Sequence, residues 1–546
     1  MNRPILATAA WLLLAAGPAG ARPASDLPDN LFATSPADAV LDLVVMADDH
    51  PIVARYRITI GGVGHRLAFG EFIVQLSAYL DADDDRRLTP DELGRGPWAQ
   101  LFAAQPFDQV RPNPDRPDEG GPDANGDGRI SCDELVRHVR ESLGIEPMTR
   151  TGGAPPDPRT ERPFEHLDRD GNGRLDTDEI ARAAERLSSL DRDQDEWVVL
   201  DEMNPYSTNV RRYFGIRVSS GGLPPDHPFV VLGASEDRAK IAGLLLDRYD
   251  RDGDGRIDLA ELGLPGERAA PLDASGLARW LEAPTPHLEF KVELAPPGQA
   301  RGPMVFERIA AVDSIADALG PPEDTSQVLD LGPITVELGV DASYSDYRSF
   351  LFQNFDSSDA DDSGSLDRSE IDNGTIISRL FDAADRDGDG SFSREELTSY
   401  MSMYEAAFAA RLSLSISDLG RAVYQSMDPD DDFRLSLREL LGIPELLSAR
   451  DRDGDGTVVL EEFPHRYRLN IGLGPARPSN RFIETGPQRR PSPAGEGVPS
   501  WFTRMDRNGD GDVSRREFLG PLEVFTGLDR DGDGLVSAED AARPIR

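Results

Sequence analysis

Residues 250–261 read Asp250-Arg-Asp-Gly-Asp-Gly-Arg-Ile-Asp-Leu-Ala-Glu261, and this stretch decides the fold. Side-chain oxygens stand at positions 1, 3 and 5, glycine at position 6, an apolar residue at position 8 and glutamate at position 12. Glycine accepts a left-handed backbone that strains other residues. The stretch is therefore predicted to form a tight loop whose carboxylates point toward one centre.

The same frame recurs along the chain, so that eleven loops are numbered here in chain order. They begin at Asp81, Asp123, Asp168, Asp191, Asp250, Asp359, Asp385, Asp428, Asp451, Asp506 and Asp529. Position 8 is apolar in every copy, and position 12 is glutamate in all except loop 11, which has aspartate. So many matches in one register exclude a chance surface turn.

Oxygen ligands in this number suit Ca²⁺, a hard cation that takes six to eight of them. We predict that positions 1, 3, 5 and 12 contribute side chains and position 7 its backbone carbonyl. The predicted ligands are Asp81, Asp83, Asp85, Arg87 and Glu92; Asp123, Asn125, Asp127, Arg129 and Glu134; Asp168, Asp170, Asn172, Arg174 and Glu179; Asp191, Asp193, Asp195, Trp197 and Glu202; Asp250, Asp252, Asp254, Arg256 and Glu261; Asp359, Asp361, Ser363, Ser365 and Glu370; Asp385, Asp387, Asp389, Ser391 and Glu396; Asp428, Asp430, Asp432, Arg434 and Glu439; Asp451, Asp453, Asp455, Thr457 and Glu462; Asp506, Asn508, Asp510, Asp512 and Glu517; and Asp529, Asp531, Asp533, Leu535 and Asp540.

The charge of the chain is concentrated in these loops. They contain 55 Asp or Glu and 18 Arg, which accounts for −37 of the formal net charge of −41. Such an acidic surface repels phosphate backbones, so nucleic acid is excluded as a partner. Cys132 is the only cysteine, so no internal disulfide can form, and the scattered histidines give no zinc motif. Bound calcium is the expected source of stability instead.

Four loops depart from the frame. Arg86, Glu196 and Phe433 replace the glycine at position 6 of loops 1, 4 and 8. A positive φ at a residue with a side chain costs roughly 1 to 2 kcal/mol, which corresponds to about tenfold in affinity. Asp540 shortens the last ligand of loop 11. These four sites are expected to bind calcium more weakly than the others.

The loops resemble those of the EF-hand superfamily, in the tandem arrangement of calmodulin-like proteins and of large exported bacterial EF-hand proteins. Dockerin modules use similar loops, but they typically close with aspartate, as only loop 11 does here. The resemblance implies helices on both sides of each loop and pairing of loops through a short two-stranded bridge at position 8. Spacings of 23 residues suggest pairs 3–4, 8–9 and 10–11, and a spacing of 26 suggests pair 6–7. Loops 1 and 2 lie 42 residues apart and can still pair, whereas loop 5 has no obvious partner.

Other stretches differ from the loops. Residues 52–60, 288–294 and 334–338 alternate apolar and polar residues and predict strands. Residues 145–160 and 475–498 are rich in Pro, Gly and Arg, as linkers are. At the N-terminus a basic residue, an apolar run and Ala19-Gly20-Ala21 predict a secretory signal. No other stretch approaches membrane-spanning length.

The sequence thus predicts a mainly α fold of tandem EF-hand pairs with small β-rich inserts and Pro- and Gly-rich linkers. The predicted segments are a signal peptide (1–21), a β-hairpin with loops 1 and 2 (51–148), loops 3 and 4 (156–212), an unpaired loop 5 (213–282), a β-rich insert (283–345), loops 6 and 7 (346–410), loops 8 and 9 (411–474), a linker (475–498), and loops 10 and 11 (499–546).

The function expected from these features is calcium binding in an exported protein, periplasmic, extracellular or on the cell surface. Calcium would be a structural cofactor in a structural, buffering or surface-associated protein. Two alternatives stay open: a calcium-triggered sensor that exposes a groove to a partner, and an enzyme within the β-rich inserts. No catalytic motif is found, so an enzyme is not expected. A protein or cell-surface partner also stays open.

Overall fold

The structure is a computed structural model. It describes residues 39–81, 83, 85–94, 122–139, 147–152, 161–203, 228–232, 238–266, 270–295, 305–323, 325–341, 347–371, 375–385, 388–430, 432–474 and 498–543. The predicted signal peptide, nearly all of the predicted linker 475–498 and the predicted ligand Asp387 lie outside these residues.

Strands occur throughout the chain, both as long strands and as two- or three-residue strands inside the loops. They are β1 (Val40–Met46), β2 (Pro51–Ile60), β3 (Val63–Gly64), β4 (Met148–Gly152), β5 (Arg174–Leu175), β6 (Val198–Val199), β7 (Phe229–Leu232), β8 (Leu288–Leu294), β9 (Val305–Ala311), β10 (Leu319–Pro322), β11 (Ser326–Asp330), β12 (Ile334–Asp341), β13 (Ser365–Leu366), β14 (Phe392–Ser393), β15 (Leu412–Arg421), β16 (Arg434–Leu435), β17 (Val458–Val459), β18 (His465–Leu473), β19 (Asp512–Ser514) and β20 (Leu535–Ser537).

The long strands form two six-stranded sheets. The first has the order β7-β1-β2-β8-β9, with β3 paired to β2, and the second has the order β10-β11-β12-β18-β15-β4. Alternate residues of both sheets, such as Phe290 on β8 and Leu338 on β12, belong to one buried core. Phe229 and Tyr467, one from each sheet, meet edge to face with ring centroids 5.0 Å apart. The two sheets therefore pack as a sandwich.

This sandwich corrects the predicted fold class, because the fold is mixed α/β and not mainly α. The three predicted strands are present as β2, β8 and β12. The predicted insert 283–345 is not a separate unit, however, since its strand β8 pairs in parallel with β2 and its strand β12 pairs with β18. Residues 145–160 are also not simply a linker, because β4 pairs with β15 at the edge of the second sheet.

Helices lie next to most of the loops, but loops 5 and 10 are followed by turns and not by the regular helix that the resemblance implies. The helices are α1 (His65–Leu80), α2 (Pro90–Gly94), α3 (Cys132–Arg137), α4 (Arg162–Leu167), α5 (Thr177–Ala181), α6 (Ala183–Ser188), α7 (Arg238–Tyr249), α8 (Ala274–Trp280), α9 (Tyr347–Ser358), α10 (Ile376–Ala384), α11 (Arg394–Ala409), α12 (Leu437–Ser448), α13 (Phe502–Met505), α14 (Leu522–Leu528) and α15 (Ala538–Ala542), with short 3₁₀ segments at Asp313–Ala318 and Leu460–Glu462.

Four further cores lie among the helices. One joins loops 1, 2, 6 and 7, and a second joins loops 3, 4, 8 and 9. The third packs loop 5 against the outer face of the first sheet through Val44 and Val53, and the fourth belongs to loops 10 and 11. The first two cores each combine loops from the two halves of the chain, and in this way they enclose residues that are hundreds of positions apart.

The pairing of loops agrees with prediction in three cases. The apolar residues at position 8 pair in loops 1–2, 6–7 and 10–11, through Leu88 with Ile130, β13 with β14, and β19 with β20. In two cases the prediction is wrong. Loop 3 pairs with loop 9 through β5 and β17, and loop 4 pairs with loop 8 through β6 and β16.

Helix length explains this exchange. Loops 8 and 9 stand at the two ends of α12, which has 12 residues and is therefore roughly 18 Å long. Two loops held so far apart cannot share a two-stranded bridge. Loops 3 and 4 are separated in the same way by α5 and α6. The first loop of each tandem therefore pairs with the second loop of the other tandem. After loop 10, in contrast, the chain turns at Gly520 and Pro521, and loop 11 folds back onto it.

Loop 5 is not unpaired, contrary to prediction. The backbone amide of Ile257 donates to the carbonyl of Leu272 at 2.9 Å, and the amide of Leu272 donates back at 2.8 Å. Leu272 is followed by Asp273, which caps α8, just as Ile257 is followed by Asp258. The repeated order of apolar residue, aspartate and helical turn is the signal that could have revealed this partner segment.

Candidate calcium-binding loops

Each loop is closed by the same hydrogen bond across its turn. The amide of position 6 donates to the second carboxylate oxygen of position 1 in all eleven loops, at 2.7–3.2 Å. In loop 5, for example, Gly255 donates to Asp250 at 2.8 Å. This bond folds the backbone back over the first ligand, so that the following side chains point toward the same centre.

A second hydrogen bond holds position 12. Its carboxylate accepts from the amide of position 9 in all eleven loops, at 2.8–3.2 Å, including Asp540 in loop 11. In loop 3 the other oxygen of Glu179 also reaches back to the amide of Arg169, at 2.7 Å. The last ligand therefore stands across the loop from the first.

The carboxylates that the sequence predicts as ligands do converge. Groups of three that offer one oxygen each within 4.8 Å of one another occur in several loops, including Asp81, Asp83 and Asp85; Asp168, Asp170 and Glu179; Asp191, Asp193 and Glu202; Asp250, Asp252 and Asp254; and Asp359, Asp361 and Glu370. Oxygen donors at this separation fit a cation that binds its ligands at about 2.3 to 2.6 Å. Calcium bound here would neutralise carboxylates that otherwise repel one another.

Cross-loop ion pairs link the paired sites. Arg87, at position 7 of loop 1, donates to Asp127 of loop 2 at 2.8 Å, and Arg129 of loop 2 donates to Asp85 of loop 1. In the pair formed by loops 3 and 9, Arg174 reaches Asp455 at 3.1 Å. These arginines stand at the position predicted to use its backbone carbonyl, and their side chains offset the charge of the neighbouring loop.

Position 6 has a positive φ in every loop, between 64° and 88°. Arg86, Glu196 and Phe433 are therefore strained, as predicted, with φ of 68°, 68° and 64°. Loop 4 carries a second strained residue, because Gln194 at position 4 has φ of 60°. Among the described residues, loop 4 thus has a strained residue at both position 4 and position 6.

Replacing the strained residue of loop 8 with glycine is expected to tighten its calcium binding. Phe433→Gly removes a strain of roughly 1 to 2 kcal/mol, so affinity should rise by about tenfold. Gly456→Ala in loop 9 is the reverse experiment, because nothing lies within 4 Å of a Cβ at Gly456 and the change adds backbone strain without a clash. Calcium titration followed by the amide resonances of each loop would test both. Equal affinities in the variants and the parent would contradict the prediction.

Burial changes the pKa of two predicted ligands. It raises the pKa of Glu439 in loop 8 to about 7 and the pKa of Asp510 in loop 10 to about 7. In both cases nearby carboxylates add to the effect, while hydrogen bonds from neighbouring groups oppose it. Burial also raises the pKa of Glu196. Burial raises the pKa of the Cys132 thiol to about 11, so this cysteine is protonated at neutral pH.

Calcium binding at loops 8 and 10 should release protons near neutral pH. A carboxyl whose pKa is raised keeps its proton in the metal-free fold, and calcium requires the ionised form, so affinity should fall as the pH drops below about 7. The raised pKa values also stabilise the metal-free fold at pH values below the ordinary pKa of a carboxyl group. This stabilisation is lost as the pH rises through about 7.

Calorimetric calcium titration at about pH 6.5, in two buffers of different protonation enthalpy, would count the released protons. Glu439→Gln should remove the share that belongs to loop 8. A proton count that is zero in the parent protein, or unchanged in this variant, would contradict the prediction.

An EF-hand family model matches the chain at residues 123–139, 243–264, 376–402 and 500–519, which contain the whole of loops 2, 5, 7 and 10. These matches support the EF-hand superfamily and, with it, calcium as a ligand. No curated protein and no solved structure matches the chain. Among the described residues, no helix is both long enough and apolar enough to cross a membrane.

Proposed function

We propose that this protein binds calcium at about eleven EF-hand loops and uses it as a structural cofactor outside the cell that makes it. The observation that supports this most strongly is the common closure of the loops. All eleven fold position 6 onto position 1 and hold position 12 from position 9, even where the residue at position 6 is strained. Strain that is retained at a site in this way points to a function of the loop.

The arrangement of the pairs supports a structural role. Loops 3 and 4 lie in the first half of the chain and pair with loops 9 and 8 in the second half. Calcium at these four loops would fix segments that are held together by one buried core. Because no disulfide can do so, calcium would stabilise the loops whose pairing joins the two halves of the chain.

The sensor alternative requires apolar surface that a partner could bind. Sensors commonly use methionines for this purpose, and Met401 and Met403 are the neighbouring pair in this chain. Both are buried in the core that joins loops 1, 2, 6 and 7. With nine methionines and this one neighbouring pair, the sequence has no Met-rich segment, so we favour the structural role, and we propose no catalytic activity.

The purified chain without its signal peptide should bind about eight to eleven Ca²⁺, with the shortfall at loops 1, 4 and 8. Equilibrium dialysis against radioactive calcium would give the number directly. Fewer than about five bound ions would mean that most loops do not bind calcium.

A further inference from the structure

Loops 10 and 11 pack against the pair formed by loops 4 and 8. Arg438, at position 11 of loop 8, donates to both oxygens of Asp512 at 2.7 Å and to Asp533 of loop 11 at 3.0 Å. The Asp512 side chain is 7% exposed in this ion pair. A bidentate contact of this kind fixes orientation as well as distance, so the C-terminal pair has a defined register on the rest of the protein.

Within this interface, loop 4 lies against loop 10. The indole nitrogen of Trp197 donates to the backbone carbonyl of Asn508 at 3.4 Å, and Arg516 donates to the side-chain oxygen of Gln194 at 3.1 Å. Trp197 and Asn508 are predicted to contribute ligands to their respective loops. The two calcium sites are therefore near neighbours although 311 residues separate these contacts.

Glu196 projects from loop 4 into this contact. Its side chain is only 10% exposed, and its Oε2 is buried with no hydrogen-bond partner. Loop 10 lies beside it: Arg516 of that loop is 3.9 Å from Oε1, and Ser514 and Glu517 are among the groups that act on the carboxyl. Ser514 is position 9 of loop 10 and also receives the amide of Glu517, at 3.2 Å.

Two unfavourable features thus coincide at one residue. Glu196 occupies a backbone conformation that suits glycine, with φ of 68°, and it buries a carboxylate oxygen without a partner. A buried carboxylate oxygen without a hydrogen-bond partner is destabilising, and glycine would relieve both features at once. A cation beside Oε2 would give the oxygen a partner.

We propose that Glu196 belongs to the calcium site of loop 10, which it enters from the side of Ser514. Position 9 of an EF-hand loop often binds its ion only through water, so this side of the site can take a group from outside the loop. Glu196 adds a negative charge that loop 10 lacks at position 3, where it has Asn508. Calcium in loop 10 then also holds the C-terminal pair against loop 4.

The role of Glu196 rests on the calcium binding proposed for loop 10, and the experiment separates the two. Tb³⁺ replaces Ca²⁺ at oxygen sites and luminesces when an excited tryptophan is close, as Trp197 is to loop 10. Glu202→Gln would first remove Tb³⁺ binding by loop 4. In the protein that carries this substitution, the part of the luminescence lost on adding Glu517→Gln belongs to loop 10.

In Glu196→Gln, the calcium concentration that displaces Tb³⁺ from loop 10 should rise by about tenfold, because one ligand charge is lost. Arg438→Ala should also lower the calcium affinity of loop 10, because it releases the C-terminal pair. In the double variant the loss of binding free energy should be smaller than the sum of the two single losses. Glu445→Gln, on the exposed side of α12, makes the same charge change and should have no effect. An unchanged affinity in Glu196→Gln would overturn the role of Glu196 alone. A background protein without any signal that depends on Glu517 would overturn calcium binding by loop 10 itself.

Discussion

Calcium removal is expected to abolish most of the helical structure and to lower the melting temperature by at least about 20 °C. Each empty loop gathers several carboxylates within a few ångströms, as in loop 5 with Asp250, Asp252 and Asp254. If calcium outside the cell is about 100 times the dissociation constant, each site stabilises the fold by about 2.7 kcal/mol. Two sites in a pair then contribute about as much as the whole stability of a small domain.

The measurement is a circular dichroism melt in excess EGTA, with the same sample after calcium is restored as the control. Loss of ellipticity at the helical bands should accompany the fall in melting temperature, and added calcium should reverse both. A chain that keeps its helicity and melting temperature in EGTA would contradict the structural role. It would instead favour a sensor whose fold does not depend on the ion.

The shape of the candidate loops could be predicted from the sequence because its determinants are local. Ligand type, the turn at position 6 and the last carboxylate all lie within one 12-residue frame. The strain at Arg86 and Phe433 was also predictable, because both residues replace the glycine at position 6. The inter-loop contact of Glu196 could not be predicted, because it depends on which distant loop packs beside loop 4.

The fold was harder to predict, although its strands were not. Alternating residues identified β2, β8 and β12, but alternation shows only that one face of a strand is buried. It does not show what buries it. The sandwich joins strands as distant as β4 and β15, or β12 and β18, and nothing in a local pattern specifies such partners.

Loop pairing illustrates the same limit. A spacing of 23 residues separates loops 8 and 9 as well as loops 10 and 11, but only the second pair is internal. Gly520 and Pro521 interrupt helical structure between loops 10 and 11. Gly442 and Pro444 would suggest a similar break after loop 8, yet α12 continues through both. The outcome depends on packing against the other tandem, which spacing does not encode.

A disulfide between Arg174→Cys and Val459→Cys is expected to form nearly completely, because these residues are register partners on β5 and β17. Opposite residues on antiparallel strands lie about 4.5 to 5.5 Å apart between Cα atoms, within the range that a disulfide spans. Arg174 is exposed, so its ion pair with Asp455 contributes little stability. Cys132→Ser removes the only native thiol.

The matched control is Arg174→Cys with Val199→Cys, again with Cys132→Ser. These positions would face each other if loops 3 and 4 paired within their own tandem, but Val199 instead pairs with Arg434 of loop 8. Only the first variant should therefore migrate faster on a non-reducing gel, since its bond closes a much larger loop of chain. A cross-link in the control and none in the first variant would show that the tandems pair internally. That result would remove the basis for calcium as a link between the two halves of the chain.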